Sequence, residues 1–128
     1  MIKLLFAIIG ILVGVIVGLV LPITYSPTYA LYISVAILAC LDSVFGGVRA
    51  NLENTFDTRI FISGFFGNAI LAAFLAYIGD RLGVPLYYAA IFAFGGRLFD
   101  NFASIRRILL FKRTVRKKKE KSENELEN

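Results

Sequence analysis

Four charged residues interrupt apolar stretches at two similar points. Asp42 and Arg49 flank the first "FGG", in "LDSVFGGVR", and Arg97 and Asp100 follow the second, in "FGGRLFD". Each arginine comes just after paired glycines, Gly46-Gly47 and Gly95-Gly96. Asp and Arg beside bare backbone can do three kinds of work. They can lock two helices through an ion pair, they can hold an ion, proton or small solute, or the arginine can reach out to a lipid head group. The chain offers little else that could react. It has no histidine, so the commonest general base and metal ligand are missing, and its one cysteine, Cys40, lies in an apolar run. With no Cys/His cluster, Gly-x-Ser-x-Gly elbow or P-loop, the expectation is a non-enzyme without metal or cofactor.

The elements that must position those charges follow from composition. Of 128 residues, 58% are apolar and 18% charged, with a mean hydropathy of +0.74. A soluble domain this small could not bury so much apolar surface, whereas uncharged runs of about 18 residues or more suit a bilayer. The expectation is an all-α polytopic membrane protein with four transmembrane helices, over residues 1–111, at about 4–23, 28–48, 60–78 and 85–105. The first run is too long for the apolar part of a signal peptide, and no good Ala-x-Ala site follows, so it is read as a retained span. Pro22 and Pro27 bracket the first turn, "GDRLGVP" makes the third, and Pro85 is expected in the first turn of the last helix.

Lysine and arginine placement sets the orientation. The first turn has no basic residue and the third only Arg81, while Arg49, Arg59 and nine basic residues after position 105 mark the other side. Both termini and the middle connection are therefore expected in the cytoplasm. Tyr25, Tyr29, Tyr32, Tyr77, Tyr87 and Tyr88 then all fall near the outer face, where tyrosine is favoured. Between the second and third spans, Phe45, Val48, Leu52 and Phe56 fall on one helical face, which suits either a short helix lying along the inner membrane surface or, because Gly46-Gly47 weakens any helix, a polar loop.

The net charge of +5 belongs to the tail. Residues 1–105 carry five basic and five acidic side chains; residues 106–128 carry nine and four. Next to a span, and with no recognition motif, that basic block argues against nucleic acid and for anionic head groups. The expected contacts are Arg106, Arg107, Lys112, Arg113, Arg116, Lys117, Lys118 and Lys119. Residues 112–128 form a basic then acidic cytoplasmic tail whose last eight residues are expected to be disordered.

Gly10, Gly14 and Gly18 form a smooth ridge on the first span, and Gly64, Asn68, Ala72 and Ala76 another on the third. Small residues let helices in lipid approach closely, so the ridges serve either packing within the bundle or a homo-oligomer. Counting about 1.5 Å per residue, Asp42, Arg97 and Asp100 reach the same inner third of the bilayer. Unpaired, each would cost about 2.5–3.5 kcal/mol there. Asp42 could pair with Arg97 or Arg49, and Arg97 with Asp100. A shift of 49 aligns the FGG copies but a shift of 58 aligns the Asp/Arg pairs, so no single register supports an internal duplication.

The stretches "LDSVFGGVRANLENTFD", "FISGFFGN" and "YYAAIFAFGGRLF" closely resemble the small basic protein family of bacterial membrane proteins. That family has no established biochemical activity and supplies no catalytic or binding residues. Its members commonly sit near cell-division genes in Gram-positive bacteria. The resemblance thus implies a bacterial cytoplasmic-membrane protein with a division or envelope protein as partner. On the residues alone, a scaffold role leads, and a small oligomeric channel or transporter using Asp42, Arg97 and Asp100 is the alternative.

Overall fold

The computed structural model describes residues 2–22, 24 and 26–126. Ile23, at the end of the expected first span, Tyr25 of the expected tyrosine belt, and tail residues 127–128 lie outside the described residues. Four helices follow one another: α1 (Ile2–Val20), α2 (Pro27–Leu52), α3 (Thr58–Leu82) and α4 (Tyr87–Leu126). Among the described residues there is no strand. α2 and α3, with mean hydropathies of 1.9 and 1.8 in their most apolar windows, are long and apolar enough to cross a membrane.

The helix ends are written locally. Ser26 caps α2, its Oγ accepting the Tyr29 N–H at 3.4 Å, and Pro27 fills the first helical position, where no N–H is needed. Asp57 caps α3 more tightly, its Oδ1 accepting from the Arg59 and Ile60 N–H groups at 2.8 and 3.1 Å. Gly83 ends α3 in the left-handed region at φ +69°, and the following Val84 N–H returns to the Gly79 carbonyl at 2.9 Å. Pro85 is not in α4, contrary to the sequence expectation. It precedes the helix by two residues, its carbonyl accepting the Tyr88 N–H across a tight turn.

α2, α3 and α4 pack together around Val35, Ala39, Ala72, Ala90 and Phe94. Alanine at these points lets the backbones approach, so the core is built on close contact more than on bulk. Asn68, Ala72 and Ala76 of the α3 ridge share this packing: both alanines are fully buried and Asn68 bonds Ser43 of α2. At the far end from Asp42, Tyr29, Tyr32 and Tyr77 form an edge-to-face chain with ring centres 6.2 and 6.3 Å apart, and Arg81 lies over the Tyr77 ring.

Three expectations are corrected. The separate interfacial helix does not exist: α2 runs unbroken through Gly46-Gly47 to Leu52, and residues 53–57 form the turn. Gly47 lies under Phe61 of α3 and Gly46 beside Asn101 of α4, and tertiary packing outweighs the low helix propensity of glycine. The end of the tail is not disordered as far as Leu126. Basic residues pair with glutamates four positions on, at Arg116–Glu120, Lys119–Glu123 and Lys121–Glu125, and α4 extends to 40 residues. The α1 glycine ridge does not pack the bundle. A side chain built at Gly10, Gly14 or Gly18 would meet nothing within 4 Å, and among the described residues α1 touches only α2, leaving a gap of about 380 Å³ toward Val44, Phe61 and Phe65.

Candidate functional site

The centre of interest is one carboxylate. Asp42 is fully buried, on the α2 face that meets both other core helices. Its Oδ1 accepts the Asn101 amide N–H of α4 at 3.4 Å. Its Oδ2 lies 3.4 Å from Arg97 Nη2, an ion pair whose alignment makes no hydrogen bond, so among the described residues Oδ2 accepts none. Arg97 is lopsided in its environment: its side chain is 60% exposed while its partner is wholly enclosed. Arg97 and Asn101 are four residues apart, one helical turn, which brings both onto the face that looks at α2.

Asp42 is among the residues around a cavity of about 250 Å³ that opens beside the α2–α3 turn. Ser43 and Asn68 continue the polar side of its wall, joined by the Asn68 amide donating to Ser43 Oγ at 3.4 Å. Gly46, Gly47 and Gly64 line it with bare backbone, and Asp57 and Thr55 lie toward the turn. Among the described residues no group of three or more acidic, cysteine or histidine side chains could hold a metal ion.

The other charges of the sequence reading lie elsewhere. Arg49 pairs at 3.0 Å with Glu53, the residue that caps the end of its helix, not with Asp42. Asp100 is exposed and, among the described residues, pairs with neither Arg97 nor any other cation, because position i+3 from Arg97 turns away from α2 while i+4 turns toward it. Gly95 and Gly96 face open space, so they bring no helix close to the charges. Asn101 and Ser43 were the residues not anticipated. The sequence signal was present for Asn101, a polar side chain one helical turn beyond Arg97.

The tail forms a second charged region. Lys112 Nζ donates to the carbonyl of Leu52, the last residue of α2, at 3.4 Å, so the arm beyond it projects past the α2 end. Among the described residues Arg106, Arg107, Arg113, Lys117 and Lys118 are exposed and make no ion pair, while Arg116 and Lys119 are tied to glutamates. The Glu120 hydrogen bond raises the Arg116 pKa further above its ordinary value, so that residue stays charged.

Fold and site together define a small all-α protein in which three helices close on one buried, half-satisfied carboxylate. A family model described as "Protein of unknown function (DUF1290)" matches residues 25–110, which hold the whole of that site. The "Small basic protein" of Bacillus subtilis is 56% identical over 94 residues, covering 73% of this chain and 78% of that one. Uncharacterized proteins of Mycobacterium bovis and Mycobacterium tuberculosis are each 46% identical over 80 residues, covering 61% of this chain and 66% of theirs. No solved structure matches. The chain belongs to this family of small basic bacterial proteins.

Proposed function

We propose that this chain is a non-catalytic interaction or scaffold component of the bacterial cytoplasmic membrane. In this reading α1 and the first half of α4 span the bilayer along with α2 and α3, and both termini and the α2–α3 turn lie in the cytoplasm. Large apolar side chains facing outward on every helix support the membrane part, among them Leu12, Ile60, Phe92 and Phe99. Water would solvate such a surface poorly; lipid tails would not.

The observation that carries the scaffold reading is the continuity of α4. One helix holds Phe94 and Asn101 inside the core and then, past the Lys112 tie, becomes an exposed arm of alternating charge. A rigid rod fixed in the membrane and displayed beyond it suits a partner or an anionic lipid surface. The unoccupied ridge on α1 offers a second surface within the bilayer, for a further copy or another spanning protein. The link to division or envelope assembly rests on the family resemblance. The channel reading has less support, because Asp100 stands apart from the Asp42–Arg97 pair.

In-cell photocrosslinking from Arg113 and Lys117 on the arm, and from Gly14 on the ridge, tests the proposal. The expected result is reproducible capture of an identified division or envelope protein, lost when residues 112–128 are removed. Removal that changes neither captured partners, location nor growth would overturn it.

A further inference from the structure

The outward side of α4 carries charge that the rest of the chain leaves uncovered. Asp100 is exposed and, among the described residues, makes no ion pair. Arg97 touches Asp42 through Nη2, yet its side chain stays 60% exposed. With the first half of α4 in the bilayer, as proposed above, both groups face lipid. Ionisable groups inside a membrane are costly there and almost always turn inward or pair with one another.

The same side is shaped to take a helix. Asp100 stands in a row with Ala89, Ala93, Gly96 and Ala103, at steps of four, three, four and three residues. That spacing keeps one face toward a neighbouring helix that crosses at a shallow angle, and small side chains let the backbones approach. Ala89, Ala93 and Gly96 are exposed, Ala103 is half-buried, and a Cβ at Gly96 meets nothing within 4 Å. The face that meets the bundle is a different one, where Ala90, Phe94 and Asn101 are buried. At 100° per residue, Arg97 falls at the border between the two faces.

The charges select the occupant. A second copy inserted the same way brings its own Arg97 and Asp100 at the same depth, three residues or about 4.5 Å apart along the helix. Two parallel α4 helices related by a twofold axis along the membrane normal then set Arg97 of each copy beside Asp100 of the other. One patch thus forms the contact twice. A guanidinium has five N–H donors, enough to stay on Asp42 and take a second carboxylate. We propose that the chain forms a parallel homodimer through this face of α4, closest at Gly96 and held by reciprocal Arg97–Asp100 pairs. The dimer rests on the membrane reading of α4 and is independent of the arm.

The test labels the full chain at its C-terminus with donor or acceptor dye, reconstitutes it in liposomes and dilutes it with lipid. The expected result is energy transfer that falls reversibly on dilution, with association weakened about ten- to hundredfold by Asp100→Asn or Gly96→Leu. Gly95→Leu leaves it unchanged: a Cβ there also meets nothing within 4 Å, but the position lies off the row. Mixing Asp100→Asn chains with Arg97→Gln chains restores one of the two ion pairs, so the mixed dimer outlasts either homodimer on dilution. Where Arg97→Gln folds poorly, the contrast between the two glycines carries the test. Membrane placement is read separately. In a Cys40→Ala background, Ala93→Cys should stay closed to a water-soluble maleimide in intact and in opened vesicles. Labelling of that cysteine removes α4 from the bilayer and the proposal with it, whereas shielding without energy transfer overturns the dimer alone. Association that survives both Asp100→Asn and Gly96→Leu, or is lost equally with Gly95→Leu, also overturns it. So does a photocrosslinker at Ala93 in cells that captures another protein and no second copy.

Discussion

The Tyr32 hydroxyl donates to Asp80 Oδ2 over 2.8 Å and so fastens the start of α2 to the end of α3. The bond is accompanied by Tyr77, whose ring meets Tyr32 on one side and Arg81 on the other. This end of the helix pair has no buried ionic cluster like that of Asp42, so the hydroxyl is its main polar fastening. Tyr32→Phe keeps the ring contacts and removes only the bond. The expected outcome is a lower unfolding midpoint in detergent, by less than for the Asn101 change below because this bond is exposed. Arg81→Ala should lower it less still.

Asn101 supplies the one hydrogen bond that Asp42 receives. Asn101→Leu leaves the buried carboxylate without any, and should destabilise the fold by about 1–3 kcal/mol in a denaturant titration. Adding Asp42→Leu should recover much of that loss, because two apolar partners leave no acceptor unsatisfied. Arg97 is exposed enough to turn away in the double variant. A double variant no more stable than Asn101→Leu alone would show that the pair does not act as a unit.

The arm is expected to adsorb on anionic membranes. Replacing Lys117, Lys118 and Lys119 by glutamine in a peptide of residues 106–128 should weaken partitioning onto anionic vesicles about a hundredfold, at about 1 kcal/mol per basic residue. Neutral vesicles should show little difference, and added salt should act like the substitution. Equal partitioning of both peptides would remove lipid from the roles of the arm.

The order of helices was legible because apolar runs and Pro/Gly turns punctuate the chain at regular points, and the caps at Ser26 and Gly83 agree with them. Asp42 and Arg97 could be placed at one depth by counting residues, but depth does not give rotation about the helix. That is why Asp100 drew attention that belonged to Asn101, one residue further and on the inward face. Gly46-Gly47 read as a break because propensity describes an isolated helix, and the packing of Phe61 and Asn101 against those glycines is not visible locally. The last eight residues read as disorder by composition, although the spacing of Arg116, Lys119 and Lys121 to glutamates four residues on already held the three ion pairs that accompany the helix.

The glycines separate into two classes that an alanine scan should distinguish. At Gly79 a side chain would run into the Val84 carbonyl and lie 2.8 Å from the Leu86 N–H, both backbone atoms of the α3–α4 turn that cannot swing aside. Gly79→Ala should therefore cost at least about 1–3 kcal/mol, the usual range for overpacking, and lower the yield of folded protein. Gly47→Ala should be milder, since the obstruction is the Phe61 ring, which can rotate. Gly10→Ala and Gly14→Ala meet nothing within 4 Å and should leave the isolated chain as stable as before, or slightly more so by helix propensity. Any loss of growth, localisation or crosslinking from the α1 variants, with stability intact, then reports a contact made with another molecule. If they instead unfold the purified chain, α1 packs against its own bundle and the ridge is not a surface for partners.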